Sequence, residues 1–210
     1  MEGLLSTIYD VFLDQIVDGQ IYTKGTGERD PSREHWTRLH ELNLAQNALL
    51  VFDRGYYSKE LYEDLVSDGC HVLMRLNKGN HLTRLGSDDF SWTAASADGK
   101  PVLYRIVRVP LPEQSNEEAE YLVTNITDPS ISPALLYNLY FERWNIETKY
   151  RELKEWWELE EFTGTSCNSI EQELYINLLF SNLAALVKTE ADSIVCLLYT
   201  SPSPRDRTRS

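Results

Sequence analysis

The sequence predicts an α/β fold, and three observations support this class. Residues 48–52 and 70–76 form short, continuous apolar runs, which are typical of strands buried on both faces of a sheet. A helical pattern at 58–66 lies between them, so the three segments make a strand–helix–strand unit. A β-rich segment over about 78–127 follows, and a long helix is predicted over 133–160.

The segments before this unit are predicted as two strands, a loop and a short helix. Residues 4–12 and 15–23 are rich in apolar and β-branched side chains and are separated by a break at Asp14. Residues 25–32 contain Gly and Pro and are predicted as a loop, and residues 34–44 as a short helix. Ser58 is a suitable N-cap for the helix that follows it.

Polar turns divide the segment over 78–127 into short strands, of which 102–109 and 120–126 are the clearest. We interpret this segment as an insertion before the long helix, which Ser132 and Pro133 begin as N-cap and first helical residue. The apolar stripe of the long helix, predicted to face the core, is Leu135, Leu139, Ile146, Tyr150, Leu153 and Trp157. A further helix is predicted over about 169–191.

The composition is that of a globular protein without a membrane segment. Hydrophobic residues make up 42% of the chain and charged residues 25%, which is ordinary for a folded domain. No apolar run approaches the roughly 18 residues that indicate a membrane span. Cys70, Cys167 and Cys196 are widely spaced and form no C-x-x-C pair, which argues against a disulfide framework or a zinc knuckle and predicts a cytoplasmic protein.

The net charge of −13 favours a partner other than nucleic acid. Nucleic-acid affinity comes largely from Lys and Arg side chains that neutralise phosphates. A metal-dependent nuclease site needs carboxylates, however, so the distribution of charge around a site matters more than the total.

Four chemically distinctive side chains share one face of the predicted long helix: Tyr140, Arg143, Glu147 and Lys154. At about 100° per residue they fall within a sector of about 60° that borders the apolar stripe. A carboxylate beside a phenol, a guanidinium and an ammonium group can hold a metal ion and grip phosphate oxygens. The alternative is a solvated charged face, in which Arg143 and Glu147 form an i,i+4 ion pair.

Asp53 directly follows the apolar run at 48–52 and precedes Arg54 and Gly55. At the carboxyl end of a buried strand its side chain can serve as a metal ligand. The alternative is an Asp that opens a turn together with Gly55.

Two of these patterns together resemble a known family. The spacing Tyr140-x2-Arg143-x3-Glu147-x6-Lys154 matches the Y-R-E-K motif of DDE transposases of the insertion-sequence-four family. Upstream, the sequence Leu-Val-Phe-Asp-Arg-Gly-Tyr at 50–56 resembles the second-aspartate motif of that family, with Asp53 as the acid. The resemblance extends over about residues 4–190.

The resemblance implies a ribonuclease-H-like DDE catalytic core that cleaves and transfers DNA strands at insertion-sequence ends. Asp53 and Glu147 would be two of its three metal-binding acids, with two Mg²⁺ or Mn²⁺ ions in an intact site. DNA contacts are implied for Tyr140, Arg143 and Lys154, and by a shorter match for Arg75. The implied partners are transposon-end DNA and target DNA, with a homodimer of the full-length protein in the prokaryotic cytoplasm, associated with the nucleoid.

The sequence departs from the family pattern at the first acid. In the family this acid precedes the segment that resembles residues 4–23, so we expect an N-terminally truncated, incomplete catalytic domain over 1–195, inactive alone. Asp18, followed by Gly19, is the other candidate for this acid. One alternative function is a non-catalytic remnant that binds DNA or dimerises with an intact transposase. Another is an unrelated acidic α/β protein whose charged face at 140–154 is merely solvated.

The C-terminal residues 196–210 are predicted to stand apart from the domain. The sequence from Cys196 to Asp206 resembles a translated sequencing adapter, which would make this tail an artefact. The alternative is a Pro-, Ser- and Arg-rich disordered tail.

Overall fold

The computed structural model describes residues 3–23, 25, 27, 29–84, 88–111, 118–157 and 162–200. They divide into two compact units. The first unit comprises Met1–Ser6 and Tyr22–Asn145, and the second comprises Thr7–Ile21 and Ile146–Ser210.

The first unit is built on a five-stranded mixed sheet. Its strands in spatial order are β3 (Leu49–Phe52), β4 (His71–Arg75), β7 (Ala119–Thr124), β6 (Pro101–Pro110) and β5 (Asp89–Ala95). Strands β3 and β4 are parallel and the other neighbours are antiparallel. The predicted α/β class is therefore confirmed. The β-rich segment contributes β5, β6 and β7, which extend the same sheet that β3 and β4 begin.

The described residues of this unit also form three α-helices, α1 (Arg29–Glu41), α2 (Lys59–Ser67) and α3 (Pro133–Phe141), and a short 3₁₀ helix at His81–Arg84. The predicted caps are both present. The Ser58 hydroxyl accepts a hydrogen bond from the Leu61 amide, and the Ser132 hydroxyl accepts one from the Leu135 amide. Each bond satisfies an amide that the first turn of a helix leaves without a partner.

The long helix predicted over 133–160 is not continuous. Helix α3 ends at Phe141, a 3₁₀ turn covers Glu142–Trp144, and α4 (Asn145–Trp156) follows without a loop. A 3₁₀ turn has three residues per turn instead of 3.6. The angles calculated for one ideal helix are therefore wrong across this turn.

The phase of α3 also differs from the prediction. Leu136 and Tyr140 are the residues that α3 buries, while Leu135 is 44% exposed. Tyr140 thus lies in the core with Leu73, Val107 and Leu136 instead of on a polar face. Of the two residues of the predicted apolar stripe that lie in α3, Leu139 packs against this core cluster, whereas Leu135 is exposed.

The second unit combines residues 7–21 of a two-stranded hairpin with most of α4 and with α5 (Cys167–Thr200). The hairpin strands are β1 (Gly3–Asp10) and β2 (Gln15–Thr23). The Asn182 side chain of α5 exchanges two hydrogen bonds of 2.8 Å with the backbone of Ile16. The buried ammonium group of Lys149 lies 3.2 Å from Asp14 at the hairpin turn, so α4 is also tied to the hairpin.

Helix α5 is apolar on two opposite sides. Leu174, Leu178, Ser181 and Ala185 are buried along one side, with Leu178 against Gly19 of the hairpin. The other side exposes large apolar side chains: Tyr175, Ile176, Leu179, Phe180, Leu183, Leu186, Val187 and Ile194. A helix that is apolar all round is normally covered on both sides.

Helix α5 runs to Thr200, past the predicted end at about 191. The predicted tail therefore overlaps the end of α5, and residues 201–210 lie outside the described residues. Within the part of the chain that the structure describes, no helix combines the length and apolar character needed to cross a membrane.

Candidate active site

The carboxyl ends of the parallel strands β3 and β4 bring Asp53 and Arg75 to one face of the sheet. Val51 is aligned with Leu73 in the parallel register, and Leu73 lies in the same core cluster as Tyr140 of α3. Side chains two residues apart share a face of a sheet. Asp53 and Arg75, two positions after Val51 and Leu73, therefore lie on the face that α3 covers.

Tyr140 and Arg143 both reach the Asp53 carboxylate. The Tyr140 hydroxyl donates a hydrogen bond of 2.7 Å to Oδ1 of Asp53. A terminal nitrogen of the Arg143 guanidinium lies 3.9 Å from the same oxygen, with the Arg143 side chain 14% exposed and Asp53 44% exposed. The guanidinium also lies 5.6 Å from the ring centroid of Tyr140 and 5.3 Å from that of Trp144, within cation–π range.

The surroundings of Asp53 favour its charged form. Burial raises the pKa of Asp53, but the Arg54 amide, the Tyr140 hydroxyl and the positive charges of Arg143 and Arg75 together lower it below its ordinary value. Burial, and next the hydrogen bond and charge of Asp53, raise the pKa of Tyr140 to about 12. At neutral pH Asp53 is therefore an ionised acceptor and Tyr140 a neutral donor.

Arg75 is held beside this cluster by Glu120, which the sequence analysis did not identify. The two side chains form an ion pair of 2.8 Å and are 16% and 12% exposed. Arg75 is opposite Leu122 in the antiparallel β4–β7 register, so Glu120, two residues before Leu122, shares its face. In the sequence, Glu120 and Leu122 alternate along a predicted strand and therefore share one face of it. This alternation does not reveal which strand pairs with β7, so the partner of Glu120 could not be predicted.

The other predicted site residues lie in the second unit. Glu147 and Lys154 are exposed on α4, in its first and last turns. Asp18 is half-buried on β2, where the Gln20 side-chain amide donates a hydrogen bond of 3.5 Å to it. The structure thus brings Asp53, Tyr140, Arg143 and Arg75 together within the first unit.

Comparison with known proteins identifies the family. Residues 6–183 of the chain match the family described as the transposase DDE domain. The chain belongs to this family. The predicted resemblance to DDE transposases is confirmed, and the mixed α/β sheet of this transposase DDE domain is consistent with a ribonuclease-H-like fold.

One curated relative of this transposase DDE domain is the "Transposase InsG for insertion sequence element IS4" of Escherichia coli (strain K12). The two sequences are 29% identical over 154 residues, which cover 65% of this chain and 34% of the relative. The chain thus spans about a third of the length of the curated relative that it matches.

Asp53 of this transposase DDE domain is suited to be one carboxylate ligand of a metal ion, but one carboxylate does not form a metal site by itself. An ionised carboxylate is the oxygen ligand that Mg²⁺ prefers. The charged groups that lower the pKa of Asp53 are, however, the guanidinium groups of Arg143 and Arg75. Among the described residues there is no group of three or more His, Cys, Asp or Glu side chains that could hold a metal ion.

Proposed function

We propose that this chain carries part of the active site of a transposase that cleaves and transfers DNA strands at insertion-sequence ends. Membership of the transposase DDE domain family supports the reaction class. The observation that carries the proposal is the ionised Asp53 carboxylate at the end of β3, which Tyr140 and Arg143 both reach. A strand-ending Asp that only opened a turn would not need these two partners.

Asp53 and Glu147 are the proposed metal ligands, on the strength of the family motifs that they occupy. DDE transposases generally use divalent metals, and Mg²⁺ or Mn²⁺ suits carboxylate ligands. When bound, two such ions would activate the attacking oxygen and stabilise the leaving oxygen during in-line displacement at phosphorus.

The basic residues of the motifs are proposed to bind DNA phosphates. The planar guanidinium of Arg143 can donate two parallel hydrogen bonds to a phosphate, and it lies 5.3 Å from the ring centroid of Trp144. Arg75, at the carboxyl end of β4, forms an ion pair with Glu120. Lys154 is exposed on α4. A phosphate contact by Tyr140 also stays a prediction.

Transposon-end DNA and target DNA are the proposed partners, in the prokaryotic cytoplasm near the nucleoid. A homodimer of the full-length protein stays a prediction as well. Sedimentation equilibrium of the full-length protein would test it.

Metal binding provides the first test, because it does not depend on activity. We expect the chain to bind Mn²⁺, measured by electron paramagnetic resonance of the free ion, and expect both Asp53→Asn and Glu147→Gln to weaken this binding at least tenfold. The control is Asp98→Asn, which changes an exposed acid in the turn between β5 and β6. Equal affinities for wild type, Asp53→Asn and Asp98→Asn would refute the proposed role of Asp53.

Strand cleavage provides the second test. Duplex DNA made from the sequence that flanks the gene is incubated with the chain and Mg²⁺ or Mn²⁺. Cleavage by the wild type that Asp53→Asn abolishes and Asp98→Asn retains supports the catalytic function. It would contradict the prediction that the chain alone is inactive. Binding of this DNA without cleavage is the result expected of an incomplete catalytic domain, and it also agrees with the alternative, a non-catalytic remnant that binds DNA or associates with an intact transposase.

A further inference from the structure

Helix α5 has an exposed apolar surface on the side opposite its buried residues. At about 100° per residue, the side chains of this surface lie within a sector of about 120°. They range from 46% exposed at Leu183 to 70% exposed at Val187. Contiguous apolar patches of this kind mark interaction sites on soluble proteins. We call the surface the α5 seam, and its members are Tyr175, Ile176, Leu179, Leu183, Leu186 and Val187.

The middle of the α5 seam has the spacing of a coiled-coil contact line. Ile176 is followed by Leu179, then by Leu183 and Leu186, at intervals of three, four and three residues. This is the heptad pattern of the a and d positions. The four positions are symmetrical about residue 181, so the pattern is the same in both directions along the helix. Two antiparallel copies of α5 would therefore match isoleucine or leucine with leucine in every layer around a two-fold axis.

The polar residues at the two ends of the seam favour the antiparallel arrangement over the parallel one. Gln172 and Glu190 are exposed, continue the heptad spacing, and are equally far from residue 181. In an antiparallel pair, the Gln172 amide of each copy can donate a hydrogen bond to the Glu190 carboxylate of the other copy. In a parallel pair, the two Glu190 carboxylates would meet and repel each other.

The area of the seam is sufficient for a specific interface. At about 200 Å² for a large side chain, the exposed half of its six side chains amounts to on the order of 600 Å² in each copy. Two copies together would then bury about 1,200 Å², which is the lower end of the range for specific protein–protein interfaces.

The charges of α5 do not suit a lipid surface as the occupant of the seam. Helices that lie on membranes carry Lys and Arg on their polar side. Between residues 167 and 194, α5 has Lys188 as its one basic residue, against the acidic residues Glu171, Glu173, Glu190 and Asp192. A protein surface is the better match, and a second copy of the chain presents the complementary pattern by symmetry.

We propose that the α5 seam binds the α5 seam of a second copy of this chain, as an antiparallel two-fold pair. This inference goes beyond the proposed function, because it concerns the chain by itself and requires neither a metal ion nor DNA. It assigns a surface to self-association, which the family motifs do not do.

Sedimentation equilibrium of the chain at micromolar concentrations tests the surface. We expect a monomer–dimer equilibrium whose dissociation constant rises at least about tenfold in Leu183→Glu, because this change places a charge in the two central layers. The matched control is Leu135→Glu, which changes a leucine of similar exposure on α3 and should leave the dissociation constant unchanged. A chain that stays monomeric, or equal effects of the two variants, would overturn the proposal.

The alignment of the helices is tested at Gln172, where Lys and Glu are both good helix formers, so that folding is retained. Gln172→Lys should tighten the dimer severalfold by facing Glu190 of the second copy, and Gln172→Glu should weaken it. Glu171→Gln changes the net charge by the same amount as Gln172→Lys but lies outside the seam, so it is the control and should have no effect. A weaker dimer in Gln172→Lys would show a parallel pair and overturn the proposed arrangement. Far-ultraviolet circular dichroism confirms that each variant is folded before its dissociation constant is compared.

Discussion

Asp53 and Tyr140 shift each other's pKa in opposite directions, and this defines the site at the scale of single residues. Burial raises the pKa of Asp53, but the hydroxyl of Tyr140 is among the groups that lower it below its ordinary value. Burial raises the pKa of Tyr140, and the hydrogen bond and charge of Asp53 raise it further. In the hydrogen bond between them, Tyr140 therefore stays the donor and Asp53 the acceptor at all pH values near 7. A pair that does not titrate near pH 7 can hold a constant geometry there.

Tyr57 offers a pH test of stability away from this pair. Burial, and then the charge of Glu63, raise the pKa of Tyr57 from 10.0 to about 12. Between about pH 10 and 12 the unfolded chain holds less of this proton than the folded chain, so the free energy of unfolding must fall as pH rises. We expect Tyr57→Phe to reduce this fall, measured by urea unfolding between about pH 9 and 11.

Tyr175→Phe is the control for this measurement, because Tyr175 is 47% exposed on α5. It should show the wild-type dependence on pH. A Tyr57→Phe variant whose unfolding free energy falls as steeply as that of the wild type would contradict the prediction.

At the scale of the element, the phase of α3 can be tested with two neighbouring leucines. Leu136 is fully buried, whereas Leu135 is 44% exposed. We expect Leu136→Ala to lower the free energy of unfolding by about 2–5 kcal/mol, because it removes buried methyl groups and leaves a cavity. Leu135→Ala should cost less than about 1 kcal/mol. Urea unfolding of both variants measures the difference. Equal losses would contradict the prediction, and a larger loss in Leu135→Ala would show that the predicted stripe, which contains Leu135, had the correct phase.

The same helix shows what could and could not be predicted from sequence. Ser132 and Pro133 marked its beginning, because capping depends on residue type at one position. The 3₁₀ turn at Glu142–Trp144 left no such mark. The turn contains neither Gly nor Pro, and 3₁₀ and α-helical backbones differ by only about 20° in ψ. The family motif linked Asp53 with Tyr140 and Arg143, but it did not indicate that Tyr140 is buried.

The sheet gives a second example. The apolar runs at 48–52 and 70–76 predicted β3 and β4 as buried strands of a strand–helix–strand unit, because burial on both faces leaves a continuous pattern. The alternating pattern of the next segment predicted strands, but it contained no information about their partners. The ion pair of Arg75 with Glu120 depends on the pairing of β4 with β7. The site was therefore predictable where it depends on residue type and not where it depends on strand pairing.

At the scale of the whole molecule, the net charge of −13 opposes the proposed DNA partner. A chain with this charge gains little from non-specific attraction to DNA, so its affinity must come from a few local contacts. Each phosphate contact releases bound counterions, and the logarithm of the affinity falls with the logarithm of salt concentration with a slope of about −0.9 per contact. A small slope is therefore expected for this chain.

Lys154 should contribute one phosphate contact to the salt dependence of DNA binding. We expect Lys154→Ala to make the salt dependence shallower by about 1 and to weaken binding at low salt, because one phosphate loses its cation. The measurement is fluorescence anisotropy of a labelled duplex at several salt concentrations. Lys100→Ala, which removes an exposed charge in the β5–β6 turn, is the control for net charge and should leave the slope unchanged. If both variants change the slope equally, total charge governs binding, and Lys154 has no specific phosphate partner.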